Sequence, residues 1–434
     1  EISACLVGSE MCIRDREGVL TKKECESVDF GTDATSVDYA KLYEGRMILL
    51  RKAYERSNVY IDSEFRRFQE EEAWWLKDYA LFMAVKKRFG GVQWSEWAED
   101  IRLRWQNALD YYREEMYFEI EFQEYMQFKF RQQWMKLKAY ANEKGIQIIG
   151  DIPIYVAMDS ADTWANPWLF KLDEKNCPTQ VAGCPPDGFS ATGQLWGNPL
   201  YNWEVHRNSG YEWWIKRIAN CFRLYDVVRI DHFRGFDEYY AIPYGDATAE
   251  NGWWEKGPGI DLFRAISASL GDREIIAEDL GYMTDSVKRL VEESGYPNMK
   301  VIEFAFDERD TGNASDYLPH NYPRNCVVYT GTHDNETLLS WLEDITPAER
   351  RQVRKYLNNF KDSGKELCDD LICLVMQSVA NLCIVPMQDY LGLDNSARMN
   401  QPSTLGKNWK WRLKEGQFTA ELQKEMLELA TRYG

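Results

Sequence analysis

Tyr225-Asp226-Val227-Val228-Arg229-Ile230-Asp231-His232 is the stretch on which the reading of the fold turns. It is an apolar, β-branched run of strand length, and it ends in a carboxylate. The arrangement returns twice downstream. Glu274-Ile275-Ile276 leads into Ala277-Glu278-Asp279-Leu280-Gly281, and Val327-Val328-Tyr329-Thr330 leads to Thr332-His333-Asp334-Asn335. From residue 146 onward, strand patterns occur at 146–150, 224–230, 274–278, 299–305, 326–331 and 382–387. Helical patterns at 210–223, 259–270, 284–294 and 347–360 lie between most of them. Such alternation implies parallel strands. Six strands in order, with carboxylates at their ends, favour a (β/α)₈ TIM-type barrel over an open sheet, and the carboxylates then converge on one mouth.

Upstream the pattern is different. Residues 37–145 read as helical, with Leu42, Met47, Leu49, Leu50 and Tyr54 at helical spacing. Ser63 is placed to cap a helix running to Trp74 and Trp75, and Ser95 to cap another with Glu96, Glu99 and Asp100 in its first turns. Residues 108–143 form one long aromatic-rich helical pattern that ends at Gly145. The expected division is a segment at 1–16 that does not look like the rest, a mostly helical region over 17–145, and barrel strands with the carboxylate motifs over 146–434. Within 1–16, Ser9 to Arg16 shows no clear period and reads as a scar or a mis-called start. The stretch 151–210 reads as a long irregular loop, rich in Pro, Gly, Trp and Asn, of the kind that is usually functional.

The totals exclude several partners. The net charge of −18 argues against nucleic acid and anionic membranes and leaves a neutral substrate open. No apolar run has the length of a transmembrane helix, and the ten cysteines form neither CxxC pairs nor zinc spacing. They read as reduced thiols of a cytoplasmic protein, with no metal and no organic cofactor. Aromatic residues make up 14 % of the chain, with 17 Trp. Flat rings suit sugar faces as well as cores, and most of these are expected in the core.

A pair of converging carboxyls is what glycosidic-bond chemistry needs. Arg229 and Asp231 are two residues apart on a strand and face the same way, so a cation sits beside a carboxylate and keeps it ionised, as a nucleophile requires. Taken alone, Asp231 is equally a solvated strand-end Asp or a cap. Glu278 is either a general acid or an exposed loop residue capping the helix near Thr284. Asp334 is either a third active carboxylate or an Asx-turn and cap before a helix at Glu336–Leu342. His333 is either a donor to a substrate hydroxyl or a satisfied core histidine. The loop from Val181 to Tyr201 offers rings at Phe189, Trp196 and Tyr201 and amides at Gln194 and Asn198, a mixture that binds polyhydroxy compounds, or else packs beneath the loop.

Taken together these motifs resemble the 4-α-glucanotransferases, also called amylomaltases or disproportionating enzymes. The resemblance rests on Gly150-Asp151-Ile152-Pro153-Ile154-Tyr155-Val156, Asp159-Ser160-Ala161-Asp162, the Pro185-Pro186-Asp187 to Asn198-Pro199-Leu200-Tyr201 loop, and Arg229 to Phe236. It continues in Ile276 to Gly281, Gly331 to Asn335, Ala397-Arg398-Met399-Asn400 and Asn408-Trp409-Lys410-Trp411-Arg412, covering about residue 17 to the end. It implies retaining transfer of an α-1,4-glucan segment between maltooligosaccharides or starch-like glucans, with glucose as an acceptor. Asp231 resembles the nucleophile, Glu278 the acid/base and Asp334 the transition-state stabiliser. Asp151, Arg229 and His333 resemble the residues that hold the donor sugar, and Trp196 with Phe189 the acceptor-side loop. His232, Gln194, Asn198 and Asn400 complete the expected substrate-binding set. A retaining mechanism implies carboxyls about 5–5.5 Å apart. A glucan hydrolase of the same clan and an inactive glucan-binding form are the alternatives; oligomeric state is not legible.

Two departures stand out. The family's N-terminal block, with the first barrel strand and a Ser-Pro-Tyr segment, has no counterpart here, and a second strand is at best weak near 27–39. The barrel is therefore expected to be incomplete at its N-terminus. Position 188 is Gly where relatives often carry a larger residue.

Overall fold

The computed structural model describes residues 18–186, 190–281, 283–307, 314–360 and 363–434. Ten strands occur among them: β1 (Ile149–Ile152), β2 (Gln180–Cys184), β3 (Gln194–Pro199), β4 (Val227–Ile230), β5 (Glu238–Pro243), β6 (Trp253–Lys256), β7 (Ile275–Ala277), β8 (Asn298–Val301), β9 (Cys326–Tyr329) and β10 (Leu382–Ile384). They form two sheets, a parallel one in the order β1-β4-β7-β8-β9-β10 and an antiparallel one in the order β3-β2-β5-β6. Every strand of the parallel sheet overlaps a stretch expected from the sequence, but β1 runs two residues beyond 146–150, and the strand expected over 299–305 ends at Val301 and gives way to a 3₁₀ helix, Ile302–Phe306. Strands β4, β7 and β9 are buried along their whole length, as strands covered on both faces must be.

The chain divides into two compact units, with β7 running from the first into the second. The first comprises Tyr43–Ile275 and Thr284–Ser294, together with the described residues before Phe30. Helices Ser63–Glu71, Ala73–Arg88, Gln106–Glu115 and Tyr117–Glu143 make up most of its N-terminal part. A core of Phe82, Val85, Trp94, Trp97, Ile101 and Trp164 ties these helices to the segment after β1. Three sequence expectations need correction here. Asp62, not Ser63, caps the helix that follows, because its Oδ1 accepts the Glu64 and Phe65 N–H groups. Ser95 caps nothing: it lies inside a 3₁₀ turn, Trp94–Glu96, and the next helix is only Glu99–Arg102. The long pattern at 108–143 is two helices broken at Met116, whose φ of −112° leaves the helical region. Gly145 does end the second, at φ 74°.

The second sheet is the larger surprise. The 151–210 stretch is not irregular throughout, since β2 and β3 pair in it and β5 and β6 extend the sheet. Gly183 permits the close pairing, because a Cβ there would lie 2.1 Å from the Gln194 carbonyl oxygen.

The second unit comprises Phe30–Leu42, Ile276–Met283 and Gly295–Gly434. It carries β8, β9 and β10 in parallel, and its core includes Val328, Leu338, Leu342, Leu367, Leu371 and Val375. The strand expected near 27–39 is absent. Its described residues make a single antiparallel bridge, Ser36 to Trp411, with Val37 N–H donating to Lys410 O at 2.8 Å. The helix expected at Glu336–Leu342 runs from Leu338 to Asp344 and is capped by Thr337. Among the described residues no helix is long and apolar enough to cross a membrane.

Candidate active site

In the first unit, the site begins with a register match. Asp151 on β1 lies directly opposite Arg229 on β4, and Asp231 follows two residues after Arg229. Strand alternation therefore brings all three side chains to one face. The Arg229 guanidinium bonds Asp151 through Nη1, at 2.8 Å to each carboxylate oxygen, and Asp231 Oδ1 through Nη2 at 3.0 Å. Its side chain is only 8 % exposed, whereas those of Asp151 and Asp231 are 45 % and 42 % exposed. The cation is thus fixed in the protein and both carboxylates reach outward. Its planar fork sets their orientation, and its charge favours an ionised Asp231. The Asp231 N–H is itself held by Ile152 O at 2.9 Å.

The turn after Asp231 places His232 at φ 52°, in the left-handed region that non-glycine residues seldom occupy. Burial and the Arg234 charge push the imidazole down to about 3, so it is neutral at physiological pH. The Trp196 ring meets it edge to face at 4.9 Å, and the Tyr155 ring lies tilted 6.4 Å from Trp196. Gln194 Oε1 accepts from Trp196 Nε1 at 3.1 Å, so the amide steers the ring. Asn198 donates to Val156 O at 2.9 Å and thereby ties its strand to the segment after β1. Tyr201 does not offer a ring to any ligand. It is 1 % exposed, stacks on Phe170 and donates its hydroxyl to Ile154 O. Phe189 lies outside the described residues.

In the second unit, Glu278 follows β7 directly and is buried, and its Oε1 accepts the Leu280 N–H at 2.8 Å. Its neighbour Asp279 points elsewhere, accepting from Met299 N–H and Asn298 Nδ2, and so anchors β7 to β8. Asp334 is no helix cap. Asn400 Nδ2 donates to its Oδ1, and Arg398 donates to its backbone oxygen at 2.7 Å. His333 lies beside it, with Nε2 3.5 Å from Asp334 Oδ2, and its ring packs on Trp409 at 5.0 Å. Asn400 N–H also donates to His333 O at 3.0 Å, so the two segments are stitched together. Arg398 and Trp409 stand in stretches that carried the resemblance, but nothing in their spacing says what they touch.

Glu303 is the residue that sequence reasoning missed altogether. It follows β8, is 4 % exposed and leaves its Oε1 without a hydrogen-bond partner. A Cβ at Gly331 would come within 2.8 Å of that oxygen, so any side chain there would push the Glu303 carboxyl aside. Asn335 bonds Glu303 and also accepts from Thr332 N–H and Oγ1, bracing the loop that bears His333 and Asp334. Burial, with Asp389 and Glu336 nearby, raises the Glu303 pKa well above the ordinary value. The folded state therefore keeps a proton that the unfolded chain loses above about pH 4.3. Stability must fall as pH rises from there toward the folded pKa, by up to about 1.4 kcal/mol per pH unit. Glu303→Gln removes this proton linkage. It is expected to gain stability over the parent at pH 7–8 and little at pH 4. Denaturant melts at the two pH values check this; a gain that is equal at both would show that Glu303 ionisation is not involved.

Among the described residues no cluster of three or more His, Cys, Asp or Glu side chains could hold a metal ion. The arrangement is one of carboxylates, a buried guanidinium and aromatic rings.

The Glyco_hydro_77 family model, 4-alpha-glucanotransferase, matches residues 6–419. The chain is 48 % identical over 420 residues to a 4-alpha-glucanotransferase of Streptococcus pneumoniae, covering 96 % of this chain and 82 % of that one. It is 45 % identical to that of Thermus thermophilus over 402 residues, covering 91 % and 80 %. Among solved structures, an amylomaltase of Streptococcus agalactiae in complex with acarbose superposes with a TM-score of 0.93 at 40 % identity, covering 98 % of this chain and 85 % of that one. On a family match that spans nearly the whole chain, this protein belongs to the 4-alpha-glucanotransferase family.

Proposed function

We propose that Asp231, Glu278 and Asp334 carry out retaining transfer on α-1,4-glucans, with Asp231 as nucleophile, Glu278 as acid/base and Asp334 as stabiliser. The chain acts as a 4-α-glucanotransferase, taking maltooligosaccharides or starch-like glucans as donors and glucans or glucose as acceptors. The observation that carries the residue assignment is the Arg229 fork, which presents an oriented carboxylate at the C-terminal end of β4.

In the first step, Asp231 attacks the anomeric carbon. The bond from that carbon to the departing glycosidic oxygen breaks, and Glu278 delivers its proton to that oxygen. Positive charge on the ring is greatest at the transition state, where Asp334 opposes it. In the second step, Glu278 takes the proton of an incoming sugar hydroxyl, whose oxygen displaces Asp231 and restores an α-linkage. Asp151 and Arg229 hold the donor sugar together with His333 and Asn400. The neutral His232 supports Trp196 and takes no proton in this scheme. The two-carboxyl mechanism calls for no cofactor. We assign residues 17–145 to an insertion on the barrel and the protein to the cytoplasm.

Water and sugar compete for the covalent intermediate. Trp196, held by Gln194 and His232, is the ring assigned to favouring sugar. With maltotriose, a ladder of longer glucans should appear beside glucose; maltose and glucose alone would mark a hydrolase. Trp196→Ala is expected to shift products toward hydrolysis by several-fold, as losing one aromatic contact costs about 0.5–1.5 kcal/mol. An unchanged transfer-to-hydrolysis ratio would remove Trp196 from this role.

A further inference from the structure

In the first unit, a cavity of about 260 Å³ lies among three segments. Helix Ala73–Arg88 contributes Trp74, Trp75, Asp78 and Tyr79. The segment after β1 contributes Asp162, Asn166 and Trp168, and helix Glu212–Leu224 contributes Glu212, Trp213 and Lys216. None of these residues takes part in the Asp151–Arg229–Asp231 arrangement or in its Trp196 neighbourhood. Trp74 and Trp168 are 44 % and 59 % exposed although they are among the most apolar side chains available. Two exposed indoles on one cavity are a surface that recognises something.

The polar groups indicate what. Asp78 is already paired with Arg104 at 2.7 Å, and Glu212 with Lys216 at 2.5 Å. Lys216 also lies 6.0 Å over the Trp74 ring. Asp162 accepts from Trp213 Nε1 at 3.2 Å, and burial raises its pKa. Asp78 and Glu212 are thus each paired with a neighbouring cation, and burial disfavours the charged form of Asp162, so little uncompensated charge is left to draw an anion or a cation. What is left is flat apolar rings edged by carboxylate oxygens, the Asn166 amide and the Ser209 hydroxyl, which donates to His206 O and can still accept. These features fit a neutral polyhydroxylated ring, whose apolar face lies on an indole while its hydroxyls meet acceptors around the rim. The volume falls just below the roughly 300–1,000 Å³ of sites for drug-sized ligands, so the cavity takes one or two sugar units of a chain rather than a long segment.

We propose that this cavity is a second α-glucan site, separate from the reacting carboxylates, that holds long donor or acceptor chains through stacking on Trp74 and Trp168. The proposal rests on the glucan-transfer reading. A second anchor on one polymer raises the effective concentration of the rest of the chain, so its effect must grow with substrate length.

The test separates short from long substrates. Trp74→Ala and Trp168→Ala should leave kcat/KM for maltotriose within about twofold of the parent and lower kcat/KM for soluble amylose roughly five- to tenfold, the scale of one lost ring contact. In an Asp231→Asn background, which does not consume the matrix, the same changes should weaken retention in amylose-containing native gels. Trp168→Phe, which keeps a stacking face, should restore most of it. Parental amylose retention and kinetics in both alanine variants would overturn the proposal. So would an equal loss on maltotriose and amylose, which would assign the rings to the fold or to the catalytic site. An absence of transfer by the parent protein on maltotriose would instead refute the underlying glucan-transfer reading.

Discussion

Asp231→Asn is expected to lower turnover on maltotriose by at least about 10³-fold, equivalent to about 4 kcal/mol of transition-state stabilisation, while glucan binding survives. The amide matches the carboxylate in shape but cannot act as the nucleophile. The fold should tolerate the change because the buried Arg229 keeps both of its bonds to Asp151 and so does not become an unpaired buried cation. A melting temperature close to that of the parent, combined with retained binding in amylose-containing gels, would separate lost chemistry from lost structure. If the variant kept more than roughly a tenth of parental activity, the nucleophile would be another residue.

Glu278→Gln should divide substrates by leaving group. On maltooligosaccharides the loss is expected to be about 10²–10⁴-fold, the usual contribution of a positioned proton donor. On an α-maltosyl fluoride, whose leaving group needs little protonation, the first step should fall less than about tenfold. The Gln oxygen can still accept the Leu280 N–H, so the turn after β7 should remain in place. With no base to activate the acceptor, a glycosyl ester should then accumulate, and peptide mapping should find it on Asp231. An equal loss on both donors would count against Glu278 as the acid. An adduct on another residue would reassign the nucleophile while leaving the role of Glu278 intact.

Legibility differed from element to element for physical reasons. Strands β4, β7 and β9 were readable because a strand buried on both faces must be apolar along its length, and a charged residue at its end then stands out. The pairing of Arg229 with Asp231 followed from the two-residue repeat of a strand. Helix caps were less certain. Asp62 and Ser63 are adjacent and both able to cap, and which one does depends on where the chain turns. The antiparallel sheet was hidden because Gly183, Gly197 and Pro199 lower the strand signal of a segment whose further pairing partner, β5, lies after β4. Tyr201 read as a ligand-facing ring only because an aromatic residue in a loop gives no sign of which side it faces; packing placed it in the core.

By itself, then, the sequence determined the parallel strands, the three carboxylates at their ends and the family to which they belong, since these depend on local periodicity and on motifs that are contiguous in the chain. Only the tertiary structure decided which partners those residues have. The register that sets Asp151 opposite Arg229, the approach of Asn400 and Arg398 to Asp334, and the enclosure of Glu303 beneath Gly331 and Asn335 all join residues that are far apart in sequence. Such contacts arise from how strands pair and segments pack, and no short-range pattern encodes them.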